Sequence, residues 1–180
     1  MKKITFILLL CISILGYSQT TAIPDANFEQ ALIDLGIDTD ATINGSVATS
    51  DISRIKNLDV NNKNIADLTG IEDFTALTSL SCASSQLTNL DITKNIALTY
   101  LACPFTPLTS LDVSNNTALN QLYCFDNQLT SLDVSNNTAL TDLRCYNNQL
   151  TSLDVSNNNA LTELRFAHNK NMFVNYVNKS

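Results

Sequence analysis

The chain has no tryptophan and little glycine, proline or histidine: 4 Gly, 3 Pro and 1 His in 180 residues. So few glycines and prolines exclude collagen-like chains and flexible linkers. Charged residues form 15% of the chain, below the roughly 25% typical of soluble domains. Acidic residues outnumber basic ones by 17 to 10, which excludes nucleic acid as a partner because such proteins need a basic surface. The length suits about one folded domain.

Long hydrophobic runs are also absent, except at the N-terminus. Two lysines precede an apolar run over residues 4–15, and the small residues Gly16 and Ser18 follow it. This order is typical of a secretory signal peptide, and the run is shorter than the about 20 residues that span a bilayer. We therefore predict that residues 1–18 are cleaved, that the exported chain carries a net charge of −9 (−7 less two lysines), and that no membrane insertion follows. An uncleaved anchor is the alternative.

The rest of the chain is dominated by a repeat. When it is written in rows of 21 residues, leucines, a cysteine and an asparagine fall into columns. Such rows begin at Leu87, Leu108, Leu129 and Leu150, and residues 65–86 form a similar row with one extra residue. A fixed period of roughly 20–29 residues with this leucine spacing predicts a leucine-rich-repeat solenoid.

The pattern within a row predicts how the coils pack. One half of the row reads L-x-x-L-x-C-x-x-N-x-L, as over residues 140–150. Residues two apart on a strand point to the same side, so Leu143 and Cys145 face inward together. Stacked coils join these sides into one core and align the strands in a parallel sheet. The other half, with Leu132 and Val134, is too short for a full α-helix.

We therefore predict an α/β fold: a leucine-rich-repeat solenoid with a right-handed superhelix, a parallel β-sheet on the concave face, short 3-10 or extended convex segments, and a helical N-terminal cap. Pro24 near a helix start and the spacing of Phe28, Leu32 and Leu35 indicate the cap helix. The predicted segments are a signal peptide (1–18), the N-terminal helical cap (19–57), the solenoid (58–170) and a C-terminal cap or tail (171–180).

Short segments at both ends of the solenoid complete this prediction. Residues 49–53 indicate a capped second helical turn, and residues 55–60 the first strand. After the last row, apolar residues are expected to cover the final coil, as a solenoid requires. These residues are Met172, Phe173, Val174, Tyr176 and Val177.

An asparagine follows the strand in the last three rows, at Asn127, Asn148 and Asn169. Its amide can hydrogen-bond the backbone of its own turn and of the neighbouring coil. Earlier rows carry Thr106 and Ser85 at this position. We therefore expect an asparagine ladder that weakens towards the N-terminus.

Two N-terminal stretches resemble the cap and first repeat of bacterial internalin-like leucine-rich-repeat proteins: IPDANFEQALIDLGID at 23–38 and TSDISRIKNLDVNNKNIADLTGIEDFTALTSL at 49–80. The row LTSLDVSNNTALTDLRCYNNQ at 129–149 resembles the 21-residue cysteine-bearing repeats of exported proteins of Bacteroidetes-type bacteria. The resemblance covers residues 22–170. It implies surface recognition or adhesion, with a protein ligand or surface receptor as the partner.

The rows place Cys82, Cys103, Cys124 and Cys145 in one column. Equivalent residues on neighbouring strands lie about 4.8 Å apart with parallel Cβ bonds, whereas a disulfide needs Cβ atoms about 3.8 Å apart and turned towards each other. We therefore predict buried free thiols that pack as small apolar residues. Two disulfides are the alternative. Zinc binding is disfavoured because thiols in a line do not form a tetrahedron.

A second column contains Asp91, Asp112, Asp133 and Asp154, which point away from the core. Neighbouring carboxylates about 5 Å apart repel each other by roughly 1 kcal/mol in water, so something must offset the repulsion. We expect hydrogen bonds from backbone amides and from Ser, Thr or Asn side chains. A row of Ca²⁺ ions between the carboxylates is the alternative. A calcium loop at 38–45 is disfavoured because its spacing lacks the glycine and the closing Glu.

Aromatic and arginine side chains lie beside the inward-facing strand residues, on the predicted concave face. Such residues anchor protein interfaces, but strands also favour aromatics for reasons of packing alone, and both interpretations stand. The candidate ligand-binding residues are Tyr100, Phe105, Tyr123, Phe125, Arg144, Tyr146 and Arg165.

The columns supply no nucleophile with a base and an orienting group, and the single histidine, His168, is expected in an ordinary turn. We therefore predict a binding module that is not an enzyme, has no cofactor or metal, and is a monomer. A carbohydrate-binding module using the same aromatics is the alternative, and a hydrolase the remote one. The sequence leaves open whether the exported chain is surface-attached, freely secreted or periplasmic.

Overall fold

The computed structural model describes residues 19–170 and 173–175. The predicted signal peptide at 1–18 lies outside these residues. Short strands dominate the chain, and helix is confined to its N-terminal part. The elements are β1 (Thr20–Ala22), α1 (Ala26–Asp34), β2 (Ser46–Ala48), α2 (Thr49–Ile52), β3 (Asn57–Asp59), a 3-10 turn (Ile71–Asp73), β4 (Ser79–Ser81), β5 (Tyr100–Ala102), β6 (Gln121–Tyr123), β7 (Asp142–Arg144), β8 (Ser152–Asp154), β9 (Glu163–Arg165) and β10 (Phe173–Asn175).

The main sheet has six parallel strands in the order β3-β4-β5-β6-β7-β9. Each strand pairs with the strand of the next coil so that the central leucines lie opposite one another. These leucines are Leu58, Leu80, Leu101, Leu122, Leu143 and Leu164. The predicted solenoid with a parallel sheet is confirmed, with one leading strand and five rows of similar sequence.

The opposite side of the coils is formed mainly by tight turns, as expected from the short rows. In one of them, Asn116 N donates to Val113 O at 3.0 Å and Leu119 N to Asn116 O at 3.0 Å. The last coil differs, because β8 pairs in parallel with β10 and places Leu153 opposite Val174. Val174 is partly buried and packs against the core, as expected of the residues after the last row, whereas Phe173 is 72% exposed. Met172, Tyr176 and Val177, also expected to cover the final coil, lie outside the described residues.

One aspartate both caps the first helix and bonds to the first coil. Asp25 Oδ1 accepts hydrogen bonds from Asn27 N (2.8 Å) and Phe28 N (3.1 Å) at the start of α1. Its Oδ2 accepts from Ala66 N (2.7 Å) and Asp67 N (2.9 Å). One carboxylate therefore caps the helix and holds it against the solenoid.

Three details of the cap differ from the sequence prediction. Leu35 is 47% exposed, because α1 ends there and the side chain lies beyond the buried stripe. The second helix begins after Ala48 without a side-chain cap. The antiparallel pair of β1 and β2 was not predicted, since three-residue strands give no clear sequence signal. The segment boundaries at 18, 57 and 170 remain predictions.

The core is one continuous cluster that runs from the cap to the last coil. Inward leucines of both half-rows and the cysteine column fill it, so each coil is stabilised by its neighbours. None of the helices in the described part of the chain has the length and apolar character of a membrane span.

Candidate functional site

The candidate residues lie on the outer face of the main sheet, which we define as the face turned away from the core. The first and third residues of each strand point to this face while the central leucine points inward. The register therefore creates two rows across the coils. The first row contains Tyr100, Gln121, Asp142 and Glu163. The second row contains Ala102, Tyr123, Arg144 and Arg165.

A closed polar network lies at the centre of this face. Tyr123 Oη donates to Asp142 Oδ2 at 2.8 Å. Arg144 donates to the same carboxylate from Nε at 3.2 Å and from Nη2 at 2.8 Å. The Arg144 guanidinium carbon also lies 4.5 Å from the centre of the Tyr123 ring, within the range of a cation–π contact. Three side chains from two adjacent strands therefore hold one another in a fixed arrangement.

The network shifts the acidity of its members. Burial alone would raise the pKa of Asp142, but hydrogen bonds from Arg144 and Tyr123 outweigh it and hold the pKa below its ordinary value. The pKa of Tyr123 is raised by burial and by its hydrogen bond to Asp142. The pKa of Arg144 is raised by its bond to Asp142. All three groups therefore keep one charge state near neutral pH.

A second arginine extends the network towards the last coil. Arg165 lies opposite Arg144 in the register, and its Nε donates to Glu163 Oε1 at 2.7 Å. Each arginine is thus held by the carboxylate two residues before it on the same strand. The two carboxylates lie in the first row and the two guanidinium groups in the second, so each ion pair forms along its own strand.

The remaining aromatic residues form an aromatic ladder, defined as Phe105, Phe125 and Tyr146. Phe125 stacks on Tyr146 with ring centres 4.6 Å apart and an interplanar angle of 9°. Phe105 meets Phe125 edge-on, at 5.4 Å and 86°. Beside the ladder, Tyr100 meets Tyr123 edge-on at 5.5 Å. The seven predicted residues therefore form two neighbouring groups, one on the strands and one just after them. That they form one binding site remains a prediction.

Phe105 has a backbone conformation that is unusual for its residue type. Its φ is +56°, in the left-handed region, as are those of the equivalent Asp126 (+53°), Asn147 (+52°) and His168 (+56°). That region costs ordinary L-residues about 1–2 kcal/mol, and Asn and Asp tolerate it best. Phe105 is also 56% exposed, so full burial of its ring does not offset the strain.

Two parts of this site were not predicted from the sequence. Asp142 was not among the candidates, although a strand that reads D-L-R places Asp142 and Arg144 on the same side. A cavity of about 380 Å³ beside Tyr146 was not predicted either; Leu164, Arg165, Phe166, Ala167 and His168 line it further. No sequence signal marks the cavity, because it arises where Ala167 follows Tyr146 in the register. His168 itself lies in a turn, as predicted.

The cysteine column is buried and its thiols are free, which confirms the prediction. Burial raises the pKa of Cys103 and of Cys145 to about 12, so these thiols are protonated and unreactive at neutral pH. The column is a packing element of the core and takes no part in the surface site.

The aspartate column is stabilised by hydrogen bonds, as predicted. Asp112 Oδ1 accepts from Ser114 N at 2.9 Å, and Asp154 Oδ1 accepts from Ser156 N at 2.8 Å. These side-chain and backbone bonds hold the pKa of both carboxyls below the ordinary value. Over residues 19–170 and 173–175, His, Cys, Asp and Glu side chains form no group of three or more that could hold a metal ion.

The asparagine ladder is present where the rows predict it. Asn148 Nδ2 donates to Cys124 O (2.9 Å) and Cys145 O (3.2 Å), and its Oδ1 accepts from Leu129 N (3.0 Å). Ser85 only donates to Cys82 O of its own turn. The ladder therefore joins coils in the C-terminal half and weakens towards the N-terminus, as expected.

Comparison with known proteins supports the internalin-like resemblance. Internalin J of Listeria monocytogenes is 43% identical over 72 residues, which is 40% of this chain and 8% of internalin J. The solved functional domain of InlJ from the same species is 41% identical to this chain, with a TM-score of 0.79. It is described as including a cysteine ladder, and the match covers 86% of this chain and 35% of that domain. This chain thus spans about a third of the solved InlJ domain.

Two more distant structures share the fold alone. A leucine-rich-repeat protein of Leptospira interrogans is 22% identical, with a TM-score of 0.58 over 72% of this chain and 45% of that one. Internalin C2 of L. monocytogenes is 19% identical, with a TM-score of 0.56 over 88% of this chain and 98% of that one.

A family model also matches most of the chain. It is described as "Endo-beta-N-acetylglucosaminidase EndoS LRR domain" and covers residues 44–166, which include the strands and turns that build the outer face. The repeat columns, the six-strand register and this match agree: the chain belongs to the EndoS-type leucine-rich-repeat family, and it is an internalin-like solenoid with a column of cysteines.

Proposed function

We propose that this protein is an exported recognition module that binds a protein partner through the outer face of its C-terminal strands. One observation carries the proposal: Tyr123, Arg144 and Asp142 form a preorganised patch beside the aromatic ladder. Tyrosine and arginine are enriched among the residues that dominate binding energy. Because their side chains are already held in place, less conformational entropy is lost when a partner binds.

Export and the absence of a catalytic role belong to the same proposal. Export is supported by the sequence of residues 1–18, which has the order of a signal peptide. A binding role is supported by the similarity to internalin J and by a face whose polar groups hold each other and present no nucleophile with a base. Monomeric, single-sided binding is the simplest arrangement that this face allows.

A photo-crosslinking experiment tests the protein-binding proposal. A benzoylphenylalanine is placed at Gln121, on the outer face, and in a matched control at Thr109, which is exposed on a different part of the coil. We expect a discrete protein adduct from the surface extract of the source cells with the Gln121 variant only. Equal adducts at both positions, or none at Gln121, would contradict the proposal.

The captured partner then allows the site itself to be tested. Tyr123→Ala and Tyr146→Ala should each weaken its binding by about thirtyfold, because buried tyrosines at interfaces contribute about 2 kcal/mol or more. Ser81→Ala, on the outer face near the N-terminus, should leave Kd unchanged. Unchanged Kd in both tyrosine variants would place the interface elsewhere.

Carbohydrate binding is the second candidate function. It is favoured by the row of half-exposed rings, whose faces can pack on sugar rings, and the matched family is named after an endo-β-N-acetylglucosaminidase. A glycan array distinguishes the candidates. Binding to one glycan class that Tyr146→Ala abolishes would favour carbohydrate, whereas an empty array with a Gln121 protein adduct favours a protein partner.

A further inference from the structure

The aromatic ladder ends one coil before the sheet does. The backbone hydrogen bonds from Phe105 N to Phe125 O, Asp126 N to Tyr146 O and Asn147 N to Ala167 O keep the turns of successive coils in register. Phe125 and Tyr146 therefore occupy equivalent positions, and the next equivalent position is Ala167. Tyr146 stacks on Phe125 on one side, but on the other side the chain supplies a methyl group where the ladder would place a ring.

Tyr146 and Ala167, which bound this missing position, both line the cavity of about 380 Å³. Tyr146 and Ala167 line it from the outer face, and Leu164 and Phe166, which are partly buried against the core, line it from the last coil. Arg165 and His168 complete the lining. A planar apolar group placed there would continue the stack on Tyr146 in the geometry that Phe125 already shows. Offset-stacked rings contribute about 0.5–1.5 kcal/mol beyond the area that they bury.

Arg165 gives the cavity a charged border. A guanidinium has five N–H donors, and among the described residues Arg165 uses only Nε, towards Glu163. Its terminal N–H groups stay available to a ligand carboxylate, and Arg144 lies opposite it on the adjacent strand. Both arginines are paired with a carboxylate of their own strand, so a ligand anion would bind through the terminal N–H groups that Arg165 leaves free.

We propose that this cavity binds an aromatic side chain of the partner that is adjacent in sequence to an acidic residue. The ring stacks on Tyr146 above Ala167, and the neighbouring carboxylate accepts hydrogen bonds from Arg165. This inference rests on the proposed protein-binding function and specifies the segment of the partner that the outer face recognises.

Short peptide probes test the inference without the natural partner. N-acetyl-Phe-Glu amide, the Phe-Gln analogue and the Ser-Glu analogue are titrated into the protein and followed by NMR. We expect Phe-Glu to shift the Ala167 and Tyr146 resonances with a Kd about two- to fivefold lower than that of Phe-Gln, the range expected for an exposed ion pair. Ser-Glu should give no saturable shift. Equal binding of Ser-Glu and Phe-Glu would overturn the proposal.

Two variants separate the ring from the charge. Ala167→Phe fills the cavity with the missing ring, so it should abolish Phe-Glu binding without lowering thermal stability. The matched control is Ala83→Phe, at the equivalent position near the N-terminus, and it should leave Phe-Glu binding unchanged. Arg165→Gln should keep Phe binding but lose the preference for Glu over Gln. Retained binding by Ala167→Phe, or a retained preference in Arg165→Gln, would refute the respective half of the proposal.

The outcomes are distinguishable from those of the crosslinking experiment. A protein adduct at Gln121 without Phe-Glu binding would leave the proposed function standing and reject this inference. Saturable Phe-Glu binding without an adduct at Gln121 would show a competent cavity and contradict the proposed capture of a protein partner at the outer face.

Discussion

The two ends of the main sheet share one backbone and one type of core but present different outer faces. On β3 and β4 the outward residues are Asn57, Asp59, Ser79 and Ser81, which are small and polar. On β6, β7 and β9 they include Tyr123, Arg144 and Arg165, joined by the aromatic ladder beyond the strands. Since the inward leucines keep the same register throughout, the outer residues vary without cost to the core.

The turns that follow the strands differ in the same sense. In the C-terminal half, Asn127, Asn148 and Asn169 bond two coils together, whereas Ser85 bonds only within its own turn. The C-terminal half, which carries the aromatic and charged side chains, therefore also has the more strongly cross-linked turns after its strands. Such cross-links would help to keep those side chains in place and so lower the entropy cost of the proposed binding.

The largest expected effect tests this difference between the turns. Asn148→Ala should lower the free energy of unfolding by about 3 kcal/mol, because three hydrogen bonds to buried backbone atoms are lost at about 1 kcal/mol each. Ser85→Ala should cost only about 1 kcal/mol. Urea denaturation of both variants measures the contrast, and equal losses would show that the two halves are supported alike.

The cysteine column should behave alike in both halves. Cys82→Ser and Cys145→Ser each place a hydroxyl in the apolar core, at a cost of about 2 kcal/mol. Chemical denaturation should give similar losses for the two variants. In the native wild type, iodoacetamide at pH 8 should leave both thiols unlabelled, since burial keeps them protonated. Rapid labelling of either thiol would show that its end of the column opens to solvent.

The Asp142 network exists only in the C-terminal half and predicts a pH dependence. The pKa of Asp142 is lower in the folded state than its ordinary value of 3.8. Its carboxylate therefore stabilises the fold above that value, and the contribution is lost as the pH falls through the folded pKa. Asp142→Asn should lower the free energy of unfolding at pH 7 by about 1 kcal/mol. The variant should also lose less stability than the wild type on acidification. Thermal melts from pH 7 to 2 measure both effects, and Tyr123→Phe should lie between the variant and the wild type.

The smallest expected effect concerns the left-handed turn. Phe105→Asn relieves strain but loses the edge-on contact with Phe125, so these opposing effects of about 1 kcal/mol each should leave stability within about 0.5 kcal/mol of the wild type. Asn62→Phe, at the equivalent turn near the N-terminus, should cost about 1 kcal/mol because no ring follows it in the next coil. Equal costs in denaturation melts would show that ring contacts do not compensate the strain.

The repeat made most of the fold predictable. The spacing of Leu140, Leu143 and Cys145 requires an inward side that only a neighbouring coil can cover, so the parallel sheet, the buried thiols and the outer face follow from one row. The pair of β1 and β2 could not be predicted, because three-residue strands carry no periodicity. The exposure of Leu35 could not be predicted either, since it depends on where α1 meets the first coil.

The candidate site also has a part that the sequence predicts and a part that it does not. The sequence alone determined that Tyr123, Phe125, Arg144 and Tyr146 share a face, because a period of two along the strand and a fixed offset between rows set both directions. Only the tertiary structure decided that Asp142 holds both Tyr123 and Arg144, since those bonds depend on distances across two strands. It also decided that the aromatic ladder stops at Ala167 with a cavity beside it, because empty space is a property of packed neighbours and not of any one residue.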